Sequence, residues 1–185
     1  MCVEGICIVV SPLIALMKDQ VMQLQKRNIK AVAIYSGMSK KEIDIALDNC
    51  IYGQIKFLYV SPERLKTELV RERAKQMDIN LLAIDEAHCI SQWGYDFRPP
   101  YLEIADFIEE IKPPRLVALT ASATREVKFD ILEKLKVEDA RVFQKSFARP
   151  NLSYSVFELE DKEQKILEIL NKVQGSSVIY VRSRK

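Results

Sequence analysis

Residues 81–88 of this chain read Leu81-Leu82-Ala83-Ile84-Asp85-Glu86-Ala87-His88, an apolar run followed directly by two carboxylates. A short continuous apolar run predicts a strand that is buried on both faces. Two acids at the end of such a strand are costly unless a cation or hydrogen bonds compensate their charge. The segment therefore predicts a buried strand with a polar site at its carboxyl end. The alternative is a solvated turn that carries this tetrapeptide by chance.

On both sides of this segment, short apolar runs alternate with amphipathic or charged segments. The predicted strands comprise residues 5–10, 31–35, 55–60, 81–84, 116–119 and 142–143. The predicted helices follow Pro12 and Pro62 and also comprise residues 40–53, 101–111 and 124–135. Ser39 and Glu42 are spaced as a capping box at the start of one helix. This alternation predicts an α/β fold with a doubly wound, mostly parallel sheet.

Polar segments follow several of the predicted strands, and parallel α/β sheets bind ligands at the carboxyl ends of their strands. The four segments are Ser11-Pro12, Ser61-Pro62, Asp85-Glu86 and Thr120-Ala121-Ser122. For the two Ser-Pro pairs, the alternative is a serine N-cap followed by proline at the first helical position.

The character of the sequence changes after residue 147. Residues 148–153 predict a linker, and residues 154–185 predict the start of a second domain. In that second domain, strands are expected at 154–159 and 178–181, with a helix at 162–173 between them. The first domain is therefore predicted to comprise residues 1–147.

The composition excludes several classes of protein. The 185 residues are 48% hydrophobic and 29% charged, which argues against a disordered chain. The formal net charge is only +2, so any nucleic-acid site has to be a local patch. The four cysteines form no CxxC pair, and no apolar run approaches the length of a membrane span. We therefore expect a reduced, cytoplasmic compartment and no membrane partner.

Asp85, Glu86 and His88 are the candidate catalytic residues. In P-loop nucleotide hydrolases, an acid at the end of a buried strand holds Mg²⁺. A carboxylate directly after it can orient or deprotonate the attacking water. His88 is the only histidine of the chain, so it has no second histidine with which to form a metal site. The functional interpretation of His88 is a hydrogen-bonding link between the acidic pair and the residues that follow, and the alternative is a structural role.

Residues 89–101 form a second candidate site. They contain the only tryptophan of the chain, further aromatic residues and one arginine, namely Trp93, Tyr95, Phe97, Arg98 and Tyr101. Gly94 and two prolines predict a loop. Aromatic side chains interleaved with arginine suit stacking on bases and contact with phosphates of single-stranded nucleic acid. The alternative is a loop whose rings pack in a local core.

Six segments resemble, in order, motifs of the RecQ family of DNA helicases in superfamily two. They are residues 10–21 (VSPLIALMKDQV), 59–65 (YVSPERL), 84–99 (IDEAHCISQWGYDFRP), 119–124 (LTASAT), 147–152 (FARPNL) and 178–184 (VIYVRSR). The last two resemble the junction between the two RecA-like domains of that family and the first motif of its second domain. The match covers nearly the whole chain, and residues 85–99 are its most specific part.

The resemblance implies a RecA-like fold of the P-loop NTPase helicase type. It implies ATP-dependent unwinding of DNA with 3′-to-5′ polarity, in DNA repair and recombination. ATP and Mg²⁺ are the implied cofactors, and single-stranded DNA and duplex junctions are the implied partners. The implied location is the nucleoid in a bacterium or the nucleus in a eukaryote. No protein partner is implied.

The resemblance also implies a role for each matching residue. Asp85 would hold Mg²⁺ and Glu86 would be the catalytic base. His88 with Gln92 would link the nucleotide site to the aromatic loop, by which we mean residues 89–101. Thr120 and Ser122 would belong to the nucleotide site together with the acidic pair, and Thr120, Ser122 and Thr124 would couple hydrolysis to domain movement. The residues that would contact DNA are Ser11, Lys18, Gln20, Arg64, Gln92, Trp93, Phe97 and Arg98.

The sequence departs from the family pattern in three ways. Ser122 stands where threonine is more usual, and Ala148 stands where aspartate is common. No Gly-x-x-x-x-Gly-Lys-Ser/Thr loop occurs in the chain. We therefore expect an internal fragment that does not hydrolyse ATP by itself. The alternatives are an RNA-dependent ATPase of superfamily two, against which residues 91–98 argue, and a non-catalytic module that binds nucleic acid or protein.

Overall fold

Five parallel strands form a sheet in the order β2-β3-β1-β4-β5. The computed structural model describes residues 4–94, 96–146 and 149–182. The strands are β1 (Ile6–Val10), β2 (Ala31–Ile34), β3 (Phe57–Val60), β4 (Ile79–Ile84) and β5 (Leu116–Ala118). Every neighbouring pair is parallel. The predicted parallel sheet is confirmed, together with five of the six strands expected in the first domain.

Helices connect the strands. They are α1 (Ile14–Lys26), α2 (Lys40–Tyr52), α3 (Pro62–Leu65), α4 (Glu68–Ala74), α5 (Ile104–Ile111), α6 (Arg125–Lys134) and α7 (Lys162–Lys172). Two 3₁₀ helices, Ala87–Ile90 and Pro99–Glu103, include the two ends of the aromatic segment 89–101, so the loop prediction is wrong at those ends. Within the described residues, none of the helices combines the length and the apolar character needed to cross a bilayer.

The core lies on both faces of the sheet. On one face, Met17 and Val21 of α1 pack against Ala31 and Tyr59. On the other face, buried side chains of α2, α4, α5 and α6 surround strand residues such as Ile8. Successive residues of a strand point to opposite faces, so β1, β2 and β3 contribute to both clusters, whereas β4 and β5 contribute to the second one. Helices on both faces confirm the doubly wound α/β architecture.

The predicted N-cap is correct at Ser39 and wrong at Ser11. Ser39 and Glu42 form the predicted capping box at α2. Ser11 is not an N-cap, because α1 begins only at Ile14 and the hydroxyl of Ser11 bonds to Asp85 instead. Ser61 does occupy the N-cap position of α3, but its buried Oγ has no hydrogen-bond partner among the described residues.

Two predicted helices are interrupted. The charged segment after Ser61 forms α3 and α4 rather than one helix. The segment predicted as a helix over 101–111 begins as the 3₁₀ helix Pro99–Glu103 and becomes α5 at Ile104. Proline has no N–H, so Pro99 and Pro100 are tolerated in the first turn and donate no hydrogen bond there.

The chain divides into two compact units between Arg141 and Val142. This division lies a few residues before the predicted end of the first domain at residue 147, which is followed by the predicted linker over 148–153. The second unit contains α7, where the Oδ1 atom of Asp161 accepts a 2.9 Å hydrogen bond from the backbone N–H of Gln164. Predictions that concern Cys2, Tyr95, Phe147-Ala148 and residues 183–185 fall outside the described residues.

The strands predicted at 142–143, 154–159 and 178–181 are wrong for the described residues, which have no β-structure there. An isolated segment gains nothing from an extended conformation unless its backbone groups pair with a neighbouring strand. None of the three segments has such a neighbour in the described structure. Their apolar side chains remain exposed, as Val156 shows with 98% of its surface accessible.

β5 is an edge strand, paired with β4 on one side only within the described sheet. Val117 is 41% exposed and Leu119, which follows the strand, is 53% exposed. Exposed apolar edges pair readily with other chains. We therefore expect the 185-residue chain to self-associate as its concentration rises, and Val117→Lys to weaken this association. Sedimentation velocity at several concentrations measures both effects.

Met22→Lys is the matched control, because Met22 is also an exposed apolar residue but lies on α1 rather than on an edge strand. It should leave the association unchanged. A chain that stays monomeric at every concentration would contradict the expectation.

Candidate functional site

The carboxyl ends of β1 and β4 lie side by side, and this brings Ser11 and Asp85 together. The strands pair Val10 with Ile84, and the N–H of Asp85 donates to the carbonyl oxygen of Val10 at 2.8 Å. The hydroxyl of Ser11 donates to Oδ2 of Asp85 at 3.3 Å. Ser11 is fully buried, so this bond fixes the orientation of the Asp85 carboxylate.

The backbone turns sharply at Glu86, which has φ 48° and ψ 44°. This left-handed conformation is unfavourable for a residue other than glycine. Oδ1 of Asp85 accepts the N–H of Glu86 at 3.0 Å, and the hydroxyl of Tyr101 donates to the carbonyl oxygen of Asp85 at 2.9 Å. These contacts hold the turn so that the Glu86 side chain, one-third exposed, leaves the sheet edge beside Asp85.

His88 lies between Glu86 and the segment that follows β5. Its Nδ1 atom is 3.2 Å from Oε2 of Glu86 and 3.1 Å from Oγ1 of Thr120. The same ring nitrogen of His88 is therefore within hydrogen-bond distance of both Glu86 and Thr120. Gln92, which the resemblance pairs with His88, is exposed, and its side chain makes no polar contact within the described part of the chain.

The segment Thr120–Thr124 is held by its own hydroxyl groups. Oγ1 of Thr120 accepts the N–H of Ser122 at 3.4 Å, and Oγ1 of Thr124 accepts the N–H of Val127 at 3.4 Å, which caps α6. The neighbouring backbone anchors the segment, because the carbonyl oxygen of Leu119 accepts the N–H of Ala87 at 2.8 Å. Thr120 and Ser122 are both exposed at the site.

The rings of the aromatic loop divide between solvent and core. Trp93 is 76% exposed, whereas Tyr101 is fully buried. Packing in a local core is therefore the correct interpretation for Tyr101 and the wrong one for Trp93. Burial raises the pKa of Tyr101, which keeps its hydroxyl protonated as a donor. A Cβ at Gly94 would lie 2.7 Å from the carbonyl oxygen of His88, so only glycine allows the loop to pass there.

Arg98 ties the end of the aromatic loop to the segment after β1. Its Nε and Nη2 atoms donate to Oδ2 of Asp96 at 3.1 and 2.9 Å, and Nη1 donates to the carbonyl oxygen of Pro12 at 3.1 Å. The hydrogen bond to Asp96 raises the pKa of Arg98. The guanidinium therefore has protein partners on several sides, and Phe97 beside it is half-buried.

The family model for DEAD/DEAH box helicases matches residues 2–129. The chain belongs to this family. It is 38% identical over 98% of its length to the probable ATP-dependent DNA helicase RecS of Bacillus subtilis, and 41% identical over 98% to the ATP-dependent DNA helicase RecQ of the same organism. These alignments cover 37% and 31% of the two relatives, so the chain spans about a third of their length. Within the family, the chain is of the RecQ type.

The fold agrees with this assignment. The crystal structure of the helicase domain of Hef from Pyrococcus furiosus superposes with a TM-score of 0.54. The alignment covers 72% of this chain and 27% of that structure, at 22% sequence identity. The shared architecture is the RecA-like sheet of a helicase domain.

Tyr35, which was not among the predicted site residues, contacts two basic side chains near the carboxyl ends of β1 and β3. The ammonium group of Lys18 lies 4.7 Å from the centre of the Tyr35 ring, and Nε of Arg64 donates to the Tyr35 carbonyl oxygen at 3.3 Å. Neither cation has an acidic partner within the described residues, so both charges are available to an anion. The only available signal was the position of Tyr35 directly after β2. Gln20, predicted alongside Lys18, is half-buried on α1 and makes no side-chain hydrogen bond within the described residues.

Removing the hydroxyl of Tyr101 should destabilise the turn that presents the acidic pair. Tyr101→Phe leaves the carbonyl oxygen of Asp85 without its buried donor, which costs about 1 kcal/mol of folding free energy. Urea denaturation followed by circular dichroism measures the change as a lower midpoint. Tyr52→Phe is the control, because the Tyr52 ring is exposed. Equal midpoints for Tyr101→Phe and the unmodified chain would contradict this account of the turn.

Proposed function

We propose that this chain contains the first RecA-like unit of an ATP-dependent DNA helicase of the RecQ type. The observation that carries the proposal is the contact of His88 with both Glu86 and Thr120, directly before a loop that exposes Trp93. One short stretch of chain thus joins a carboxylate site to an aromatic surface. The relatives named above support the assignment, since both are named as ATP-dependent DNA helicases.

The donor set around Asp85 fits the Mg²⁺ ion that accompanies ATP. The Asp85 carboxylate offers oxygen ligands, which Mg²⁺ prefers, and the buried Ser11 hydroxyl orients it. The described residues contain no cluster of three metal-binding side chains. This suits an ion that takes one carboxylate from the protein and its remaining ligands from water and phosphates. We propose that Asp85 holds Mg²⁺, which would neutralise charge on the phosphates of bound ATP.

Glu86 is the proposed general base. Its carboxylate stands beside Asp85, is partly solvent-accessible and lies within hydrogen-bond distance of His88. A carboxylate in this position can orient a water molecule and accept its proton as the water attacks the terminal phosphate. His88, held between Glu86 and Thr120, fixes the direction of the Glu86 carboxylate. Thr120 and Ser122 are proposed to contact the nucleotide side of the same edge.

DNA is proposed to bind along the carboxyl edge that carries Lys18, Arg64 and Trp93. The exposed indole can stack on an unpaired base, and the two cations can contact phosphates. Arg98 holds the end of the loop through Pro12 and Asp96, and Phe97 offers a second ring. Unwinding with 3′-to-5′ polarity, action at duplex junctions, a role in repair and recombination, and a cytoplasmic or nuclear location are further parts of the proposal.

The 185-residue chain alone is expected to show no ATP turnover. Its sequence contains no glycine-rich loop with a lysine to hold the phosphates, so Asp85 would offer Mg²⁺·ATP only a weak site. A coupled assay of phosphate release, with and without single-stranded DNA, measures this. Turnover by the chain that disappears in Glu86→Gln would contradict the expectation.

In the full-length protein, Trp93→Ala should reduce both affinity for single-stranded DNA and DNA-stimulated ATP hydrolysis. Stacking of one base on an aromatic ring contributes about 1–3 kcal/mol, so the Kd should rise accordingly. Fluorescence anisotropy of a labelled oligonucleotide gives the Kd, and phosphate release gives the stimulation. ATP binding should be unchanged.

Two further variants serve as comparisons in this experiment. Glu86→Gln should bind nucleotide and DNA yet stop turnover, because only the proton acceptor is lost. Tyr52→Ala removes an equally exposed ring at the end of α2 and should behave as wild type. Stimulation by RNA in place of DNA, or loss of folding rather than of DNA response in Trp93→Ala, would count against the proposed function.

A further inference from the structure

Ser91 is a buried anchor at the start of the aromatic loop. It is fully buried, and its hydroxyl donates to Oδ2 of Asp130 at 2.6 Å. The Oγ atom of Ser91 also accepts the backbone N–H of Trp93 at 3.2 Å. A hydroxyl has one proton to donate, so the bond to Asp130 fixes which side of the oxygen faces Trp93. The direction in which the chain leaves toward Trp93 therefore depends on Asp130.

Lys134, one turn after Asp130 on α6, completes the anchor. Its ammonium group donates to Oδ2 of Asp130 at 3.3 Å and to the carbonyl oxygen of Ile90 at 3.2 Å. Ile90 ends the 3₁₀ helix Ala87–Ile90, so Lys134 satisfies a carbonyl group that the helix leaves free. Asp130 and its partners are partly buried, where charge-assisted hydrogen bonds are strong.

α6 connects this anchor to the nucleotide side of the site. The helix is capped by Thr124, and Thr120 lies four residues earlier in contact with His88. Any displacement of the segment Thr120–Thr124 thus displaces the first turn of the helix whose later turns carry Asp130 and Lys134. Gln92, by contrast, is exposed and makes no side-chain hydrogen bond within the described residues.

We propose that Asp130 is a positioning residue that, with Lys134, couples the segment Thr120–Thr124 to the aromatic loop through Ser91. This inference rests on the proposed function, since it concerns how DNA at Trp93 stimulates hydrolysis at Glu86. Asp130 touches neither nucleotide nor DNA. It sets the position of Trp93 relative to the edge where ATP is hydrolysed.

The test measures the stimulation factor of the full-length protein, which is the ratio of kcat for ATP with and without single-stranded DNA. Asp130→Ala and Ser91→Ala should each lower this factor about tenfold. The KM for ATP should stay close to the wild-type value. Asp130→Asn keeps an oxygen that accepts the Ser91 hydroxyl, so it should retain most of the stimulation. The double variant should be no worse than Ser91→Ala alone, because both changes break one relay.

Glu133→Gln is the matched control, because Glu133 is exposed on the same helix and makes no side-chain hydrogen bond within the described residues. It should leave the stimulation factor unchanged. A general loss of stability would lower kcat with and without DNA together, so the ratio separates coupling from folding. Rescue by Asp130→Asn provides the second separation.

Trp93 offers a direct readout in the 185-residue chain, where it is the only tryptophan. Ser91→Ala and Asp130→Ala should lower the steady-state anisotropy of its fluorescence, and Asp130→Asn should restore it. If Asp130→Ala does not fold, the stimulation factor and the Trp93 anisotropy are both measured on Ser91→Ala.

The outcomes separate the inference from the function on which it rests. Unchanged stimulation in Asp130→Ala or Ser91→Ala overturns the relay, as does an Asp130→Asn variant as impaired as Asp130→Ala. In these cases the wild-type response to DNA still stands. A wild-type protein whose hydrolysis no DNA stimulates overturns the proposed function itself, and that result is visible before any variant is compared.

Discussion

The parallel pairing of β1 with β4 is the constraint on which the rest of the site depends. Because the register sets Val10 opposite Ile84, the residues that follow the two strands have to meet at one edge. The buried Ser11 hydroxyl then donates its hydrogen bond to Asp85. Ser11 does not cap α1, which begins only at Ile14. A slip of one residue would turn Asp85 toward the opposite face of the sheet. The sheet therefore fixes the chemistry of the edge before any loop contributes.

The sequence predicted most of the first unit, because the signals there are local. Apolar runs gave the five strands, and the spacing of Ser39 and Glu42 gave the start of α2. The acidic pair and His88 were found because their position after a buried strand is visible in the chain. The partner of His88 was not, since Thr120 is 32 residues away and only the β4–β5 pairing brings it near.

The remaining errors have the same origin, in contacts that no local pattern records. Tyr35 and Asp130 were not predicted, because each contacts residues that are distant in sequence. Tyr35 contacts Lys18 and Arg64, and Asp130 accepts a hydrogen bond from Ser91. The segments predicted as strands over 154–159 and 178–181 show the converse. Their composition favours β-structure, but a strand exists only with a neighbour to pair its backbone.

The proposed contact with DNA at Trp93 places two opposing requirements on the aromatic loop, and the ends of the loop and its middle meet them separately. An exposed indole forgoes the stabilisation of burial, which for a large side chain is about 1.5–3 kcal/mol. The ends recover order through buried contacts, Ser91 with Asp130 at one end and Arg98 with Pro12 at the other. Under the proposed function, a loop with mobile ends would not transmit a change at Trp93 to Glu86, and a loop buried throughout would not contact DNA. A loop whose ends are held by hydrogen bonds and whose central tryptophan is exposed combines an ordered connection to the carboxylates with an accessible ring.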